Sequence, residues 1–188
     1  MNQKRKSIWL SHIERESLVN GPGIRTVIWL QGCSLHCKGC FNPSLHAFYK
    51  GKQYQIKALA EALSELRTDG LTISGGEPLD QNKELFQLIR YYKFLTKKTV
   101  LLFTGYSYDQ IKKSPKKLRT ILNTDAVLCG SFREGPIWNH KQLILMTNQI
   151  DPQNLKPHSD IELSIKSGQA FLTGYPYISR RRTQYESR

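Results

Sequence analysis

The sequence predicts an α/β fold, an open partial (β/α) barrel with about five or six mostly parallel strands. Short segments rich in β-branched and aromatic residues alternate with amphipathic segments at helical spacing, which is typical of βαβ units around a parallel sheet. The chain has 188 residues, whereas a closed eightfold barrel takes about 250 residues. We therefore expect a barrel that stays open.

The predicted strands are short apolar segments that end at glycine or at polar residues. They cover residues 24–31, 71–73, 99–103, 126–129 and 142–146, with 161–166 and 170–172 as a closing hairpin. The predicted helices carry apolar residues at helical spacing. They cover residues 56–67, a segment marked by Leu85, Leu88, Ile89 and Tyr92, and a polar segment between residues 107 and 122.

The chain is long enough for one domain with a sizeable core. We expect a single domain over residues 1–178 and a basic tail without fixed structure over residues 179–188. Hydrophobic residues make up 39% of the sequence but form no run of the length that a membrane span or a signal-peptide core needs. The sequence thus predicts a cytoplasmic protein that does not contact a membrane.

The formal net charge of +13 favours an acidic partner. A nucleic acid, a nucleotide or an acidic protein surface would each satisfy it. Runs such as 116–117 and 180–182 also occur as solvated helix ends and tails without any ligand. Charge alone does not choose among these.

Three of the four cysteines, Cys33, Cys37 and Cys40, lie within eight residues directly after the first predicted strand. The C-x3-C-x2-C spacing places three thiolates on one tight loop, where each can bind a different iron of a four-iron cluster. Three thiolates leave the fourth iron open to a further ligand. A zinc site completed by His36 or His46 is the alternative.

Ligands of parallel α/β folds bind beyond the carboxyl ends of the strands. The cysteine loop follows the first predicted strand, and Gly75-Gly76-Glu77-Pro78 follows the second. Thr104-Gly-Tyr106 and Gly130-Ser-Phe132 follow the next two. We expect these loops to share one site.

The cysteine motif resembles the signature of radical S-adenosylmethionine (SAM) enzymes. The resemblance implies two cofactors, a [4Fe-4S] cluster held by Cys33, Cys37 and Cys40 and SAM bound at its open iron. It also implies that the segment 75–78, Gly-Gly-Glu-Pro, meets the methionine part of SAM, and that Asn42 and Thr104 contribute to the same site. Beyond the cluster and SAM, no further catalytic group is implied.

Within that superfamily the chain is similar, over about residues 8 to 150, to the activating enzymes of glycyl radical proteins, most of all to those of anaerobic ribonucleotide reductase. The matches are Asn20-Gly-Pro-Gly-Ile-Arg25, Cys40-Phe-Asn-Pro43 and Thr104-Gly-Tyr106. The resemblance implies reductive SAM cleavage to a 5′-deoxyadenosyl radical and hydrogen abstraction from a partner glycine. A flavodoxin- or ferredoxin-type protein would supply the electron.

Two alternative functions remain open on the sequence. One is a radical SAM enzyme that modifies a peptide, a nucleotide or another small acidic molecule. The other, from a different class, is a non-catalytic zinc or iron–sulfur module that binds nucleic acid, which we favour less. Cys129, outside the motif, is expected to be a buried strand residue because a free cysteine behaves as a small hydrophobe.

Overall fold

The computed structural model describes residues 6–133, 141–155, 161–166 and 169–174. The end of the predicted domain at residue 178 and the tail 179–188 lie outside the described residues. No described helix combines the length and the apolar character that crossing a membrane requires.

Over the described residues, the main sheet has seven strands in the order β3-β1-β2-β4-β5-β6-β7. They are β1 Ser7–Ser17, β2 Arg25–Leu30, β3 Lys52–Gln55, β4 Gly70–Gly75, β5 Thr99–Thr104, β6 Ala126–Cys129 and β7 Gln142–Leu145. Strands β2, β4, β5 and β6 are parallel neighbours, while β1 and β7 pair antiparallel with β2 and β6. The α/β class is confirmed, but the sheet is mixed and larger than the five or six mostly parallel strands expected.

Strands β1 and β3 were not predicted from the sequence. The charged run 14–16 makes β1 look like a loop, yet Ile8, Leu10 and Glu14 are all buried. The pairing of β1 with β2 shifts register twice, between Leu10 and His12 and between Glu14 and Ser17. Such bulges break the simple alternation that identifies a strand from sequence.

Four α-helices accompany the sheet in the described part of the chain: α1 Ile56–Ser64, α2 Asn82–Thr96, α3 Tyr108–Lys112 and α4 Pro115–Ile121. The apolar positions predicted for α2 are all fully buried. The single polar helix expected between residues 107 and 122 is two short helices. Pro115 starts α4 and Ser114 caps it, and the residue before a proline is disfavoured in a helix.

The amino ends of the parallel strands are joined by two buried charged side chains. Arg25 on β2 is 1% exposed and donates hydrogen bonds to Leu71 O and Thr99 Oγ1, both at 2.7 Å. Asp125, just before β6, is fully buried and pairs with Lys93 of α2 at 2.7 Å. This edge of the sheet is therefore occupied by structural contacts.

A separate two-stranded antiparallel sheet consists of β8 Ile161–Lys166 and β9 Gln169–Gly174. It confirms the hairpin expected from the sequence.

Candidate functional site

A cleft opens at the carboxyl ends of β2, β4, β5 and β6, the edge at which the sequence placed the site. The last residues of β4 and β5, residues in the loops after the four strands and one residue directly before β7 line it. They are Cys33, Leu35, Cys37, Cys40, Asn42, His46, Ser74, Gly75, Gly76, Glu77, Phe103, Thr104, Gly105, Ser131, Phe132, Arg133 and Lys141.

The cysteine loop is folded back on the segment that follows it. Gly32 N donates to Leu45 O at 2.9 Å, and Cys33 N donates to His46 O at 3.1 Å. Gly32 has φ +99°, and a Cβ there would lie 2.4 Å from the ring of Phe48. Only glycine allows this close return of the chain.

All three motif cysteines face the same cleft, and this arrangement fits a cubane cluster. Cys33 is buried, while Cys37 and Cys40 are half-buried. In the part of the chain described, no group of three or more His, Cys, Asp or Glu side chains is gathered to hold one metal ion. A four-iron cluster does not need such a group, because each thiolate binds a different iron.

Gly75 and Gly76 bring the loop after β4 against the cysteine loop. Gly76 N donates to Leu30 O at 2.8 Å. A Cβ on Gly76 would lie 2.2 Å from Gly32 O, and one on Gly75, where φ is +124°, would lie 2.3 Å from Leu30 N. The two glycines line the cleft, and the close contact between the two loops also requires them, because it leaves no room for a Cβ.

Glu77 borders the cleft but is fully buried, and protein groups occupy its carboxylate. It accepts hydrogen bonds from Leu79 N at 2.9 Å, Thr104 Oγ1 at 2.8 Å and Gly105 N at 2.7 Å. Burial raises the pKa of Glu77 to about 7, and these three hydrogen bonds oppose that rise. Its visible role is to join the loop after β4 to the end of β5.

Asp80 makes a second connection, between the cysteine loop and the loop after β5. Its Oδ2 accepts from Ser34 N at 2.7 Å, and its Oδ1 accepts from the Tyr106 hydroxyl at 2.9 Å. Lys117 lies over the Tyr106 ring, with Nζ 3.4 Å from the centroid. Three of the four loops are thus tied together by side chains.

Most of the residues predicted for the site reach the cleft. Asn42 and Thr104 line it beside the cysteines, while Pro78 is buried and begins a 3-10 helix away from the lining. Cys129 is 2% exposed and belongs to the core, as predicted. Burial raises the pKa of its thiol to about 11.

Sequence reasoning missed Asp80 and Lys141. Asp80 comes two residues after the Gly-Gly-Glu-Pro segment, so its nearness to a motif was the available signal. Lys141 is one lysine among many in a basic chain and lies at no motif. Only the antiparallel pairing of β7 with β6 brings it to the cleft.

Comparison with known proteins identifies the family of the chain. Residues 19–150 match the 4Fe-4S single cluster domain family. The chain is 34% identical over 123 residues to the anaerobic ribonucleoside-triphosphate reductase-activating protein of Enterobacteria phage T4, covering 62% of this chain and 76% of the relative. It is also 28% identical over 126 residues to the protein of that name from Pasteurella multocida, covering 62% and 79%.

A further relative is the pyruvate formate-lyase-activating enzyme of Clostridium pasteurianum, 34% identical over 122 residues, which cover 62% of this chain and 49% of the relative. The matched domain family defines the class of the protein, an iron–sulfur protein with a single 4Fe-4S cluster. The chain belongs to the radical SAM family of activating enzymes.

Proposed function

We propose that this protein is a glycyl radical activating enzyme. It cleaves SAM reductively and removes a hydrogen atom from a glycine of a partner protein. The observation that carries the proposal is the convergence, in one cleft, of the three cysteines with Gly75, Gly76 and Thr104. Membership of the activating-enzyme family supports it.

In this proposal Cys33, Cys37 and Cys40 hold the [4Fe-4S] cluster, and SAM binds beside it. When bound, the cluster would supply the one electron that reductive cleavage of SAM requires. Gly75, Gly76, Thr104 and Asn42 bind the cofactor, because they line the same cleft as the cysteines. Glu77 and Asp80 act indirectly, by holding the surrounding loops in fixed positions.

The reaction balances with one electron and one partner glycine. SAM gives methionine and 5′-deoxyadenosine, and the glycine loses one hydrogen atom to become a radical. A flavodoxin- or ferredoxin-type protein is the proposed electron source. A reducing compartment such as the cytoplasm would keep the cysteines as thiols.

The proposed partner is a protein because two of the relatives above are named as activating proteins of a reductase and another as the activator of pyruvate formate-lyase. The net charge of +13 suits an acidic docking surface, since complementary charge raises association rates. We also infer that the sheet curves as an open partial barrel, whose mouth would admit a loop of the partner.

The decisive experiment uses anaerobically reconstituted protein with dithionite, SAM and a candidate glycyl radical protein from the same organism. We expect slow formation of 5′-deoxyadenosine by the activator alone, faster formation with the partner, and a long-lived glycyl radical by electron paramagnetic resonance. A partner with its glycine changed to alanine is the control and should give no radical. Full coupled turnover with a small molecule alone would contradict the choice of partner.

A further inference from the structure

Lys141, the residue directly before β7, extends across the carboxyl ends of β5 and β6. Its Nζ donates to Thr104 O, at the last residue of β5, at 2.9 Å and also to Gly130 O, directly after β6. Two of its three N–H groups are therefore engaged by backbone, and the side chain lines the cleft. No acceptor for the third N–H is found among the described residues, which leaves that N–H for a ligand.

The surroundings of Lys141 make an anionic ligand chemically suitable. None of the ion pairs found among the described residues includes it. The nearest carboxylate in the cleft, Glu77, already accepts three hydrogen bonds from the protein. A partly buried ammonium without a carboxylate partner is unfavourable unless a bound group completes its coordination.

SAM, bound as proposed above, carries one anionic group, the carboxylate of its methionine part. Cys37 and Gly76 line the same cleft as Lys141. A cofactor that contacts both the cluster and the glycine loop therefore lies in the cleft that Lys141 also lines. We propose that Lys141 binds the cofactor's carboxylate and so selects SAM over analogues that lack this group. The inference rests on the proposed function.

The two hydrogen bonds to backbone carbonyls hold Nζ in one position before the ligand binds. Thr104 O accepts from Gly130 N at 3.1 Å as well as from Lys141, so the ammonium is held at the junction of the two strand ends. A side chain held in this way loses little further freedom when the carboxylate arrives. A lysine that merely capped strand ends would not distinguish ligands by their charge.

The test compares the affinities of cluster-loaded Lys141→Met, Lys141→Arg and wild type for SAM and for decarboxylated SAM. Loss of a hydrogen bond between charged groups should weaken SAM binding by roughly ten-fold or more in Lys141→Met. Affinity for the decarboxylated analogue should stay unchanged or rise, because that analogue carries only positive groups. Arginine, which keeps charge and donors, should restore SAM binding to within a few-fold.

Lys98→Met is the matched control. Lys98 also donates to a backbone carbonyl, Leu66 O at 2.7 Å, but it lies directly before β5, at the opposite edge of the sheet. It should bind SAM as the wild type does. Equal weakening of both ligands in Lys141→Met, or SAM binding within three-fold of wild type, would overturn the proposal.

If Lys141→Met does not retain its cluster, the wild type supplies the answer through amine labelling followed by mass spectrometry. SAM should slow the labelling of Lys141, and decarboxylated SAM should not. Labelling that SAM leaves unchanged would overturn the inference. A wild-type protein that does not bind SAM at all would instead refute the proposed function, so the two failures are distinguishable.

Discussion

Asp80 holds the cysteine loop through one hydrogen bond, since the backbone N–H of Ser34 donates to its Oδ2 at 2.7 Å. Ser34 directly follows the first cysteine of the motif. The carboxylate also accepts from the Tyr106 hydroxyl. The cysteine loop is thus fixed from outside as well as by its own turn.

Replacing Asp80 with alanine should shorten the lifetime of the cluster. The lost hydrogen bonds are partly exposed, so we expect a cost of about 1 kcal/mol and a rate of cluster loss raised roughly five-fold. Iron release to a chelator under anaerobic conditions measures it. Asp109→Ala removes an exposed carboxylate that pairs with Lys112, outside the cleft, and is the control. Equal rates in both variants would show that Asp80 does not hold the loop.

Single alanine substitutions of Cys33, Cys37 and Cys40 should each abolish cluster assembly. Each thiolate binds its own iron, so a neighbour cannot replace it. Cys129→Ala should keep full iron content, because that thiol lies in the core and outside the cleft lining. Iron and sulfide analysis with visible absorption measures both. Stoichiometric zinc without iron, or iron lost in Cys129→Ala, would contradict the assignment.

Gly76→Ala should affect the cluster and SAM binding together. A Cβ there would meet Gly32 O at 2.2 Å, and backbone cannot yield as a flexible side chain does. The cysteine loop must therefore shift. We expect reduced iron content and weaker SAM binding in the same variant, measured on anaerobically reconstituted protein. Gly39→Ala is the comparison, since a Cβ at Gly39 meets nothing within 4 Å, although its φ of +69° adds local strain. If Gly76→Ala kept its cluster and lost only SAM binding, the added Cβ would act on the cofactor and not on the cysteine loop.

The buried carboxyl of Glu77 should make stability depend on pH. Its pKa is raised to about 7 in the folded protein from 4.5, so the folded state binds the proton more tightly. The protonated Glu77 therefore stabilises the folded protein fully below pH 4.5. This contribution, about 3 kcal/mol in the free energy of unfolding, is lost as the pH rises through 7.

Anaerobic thermal unfolding between pH 5 and pH 8 measures this dependence. Glu77→Gln should lower overall stability, because an amide cannot accept all three hydrogen bonds, and should flatten the fall with pH. Glu65→Gln, at an exposed position, should retain the wild-type slope. Identical slopes in all three proteins would exclude Glu77 as the titrating group.

The sequence predicted the parts of the fold in which local pattern and final environment agree. Helix α2 follows its apolar spacing, and the segment 126–129 was found at its observed bounds because a fully buried strand is uniformly apolar. Strand β1 was missed because its buried Glu14 and its bulges depend on neighbours distant in sequence. Local pattern cannot report such pairing.

In the candidate site, too, some residues were predictable from the sequence and others were not. The cysteines and the glycine loop were predictable because they are motifs, and parallel βαβ topology places them at one edge of the sheet. Lys141 and Asp80 act through contacts made across strands, and those contacts require the three-dimensional arrangement. The sequence predicted that Gly76 contacts SAM. The structure adds a second requirement for glycine there, because a Cβ on Gly76 would collide with Gly32 O, directly before the first cysteine.

The buried Arg25 lies at the edge of the sheet opposite the cleft, and its guanidinium is satisfied by Leu71, Thr72 and Thr99. A lysine would not reproduce this planar set of donors. The fold is thus anchored at one end of the strands while the other end carries the ligand loops. Substitutions at the cleft-lining residues 131–133 should therefore leave the contacts at the opposite edge of the sheet, and with them the scaffold, in place.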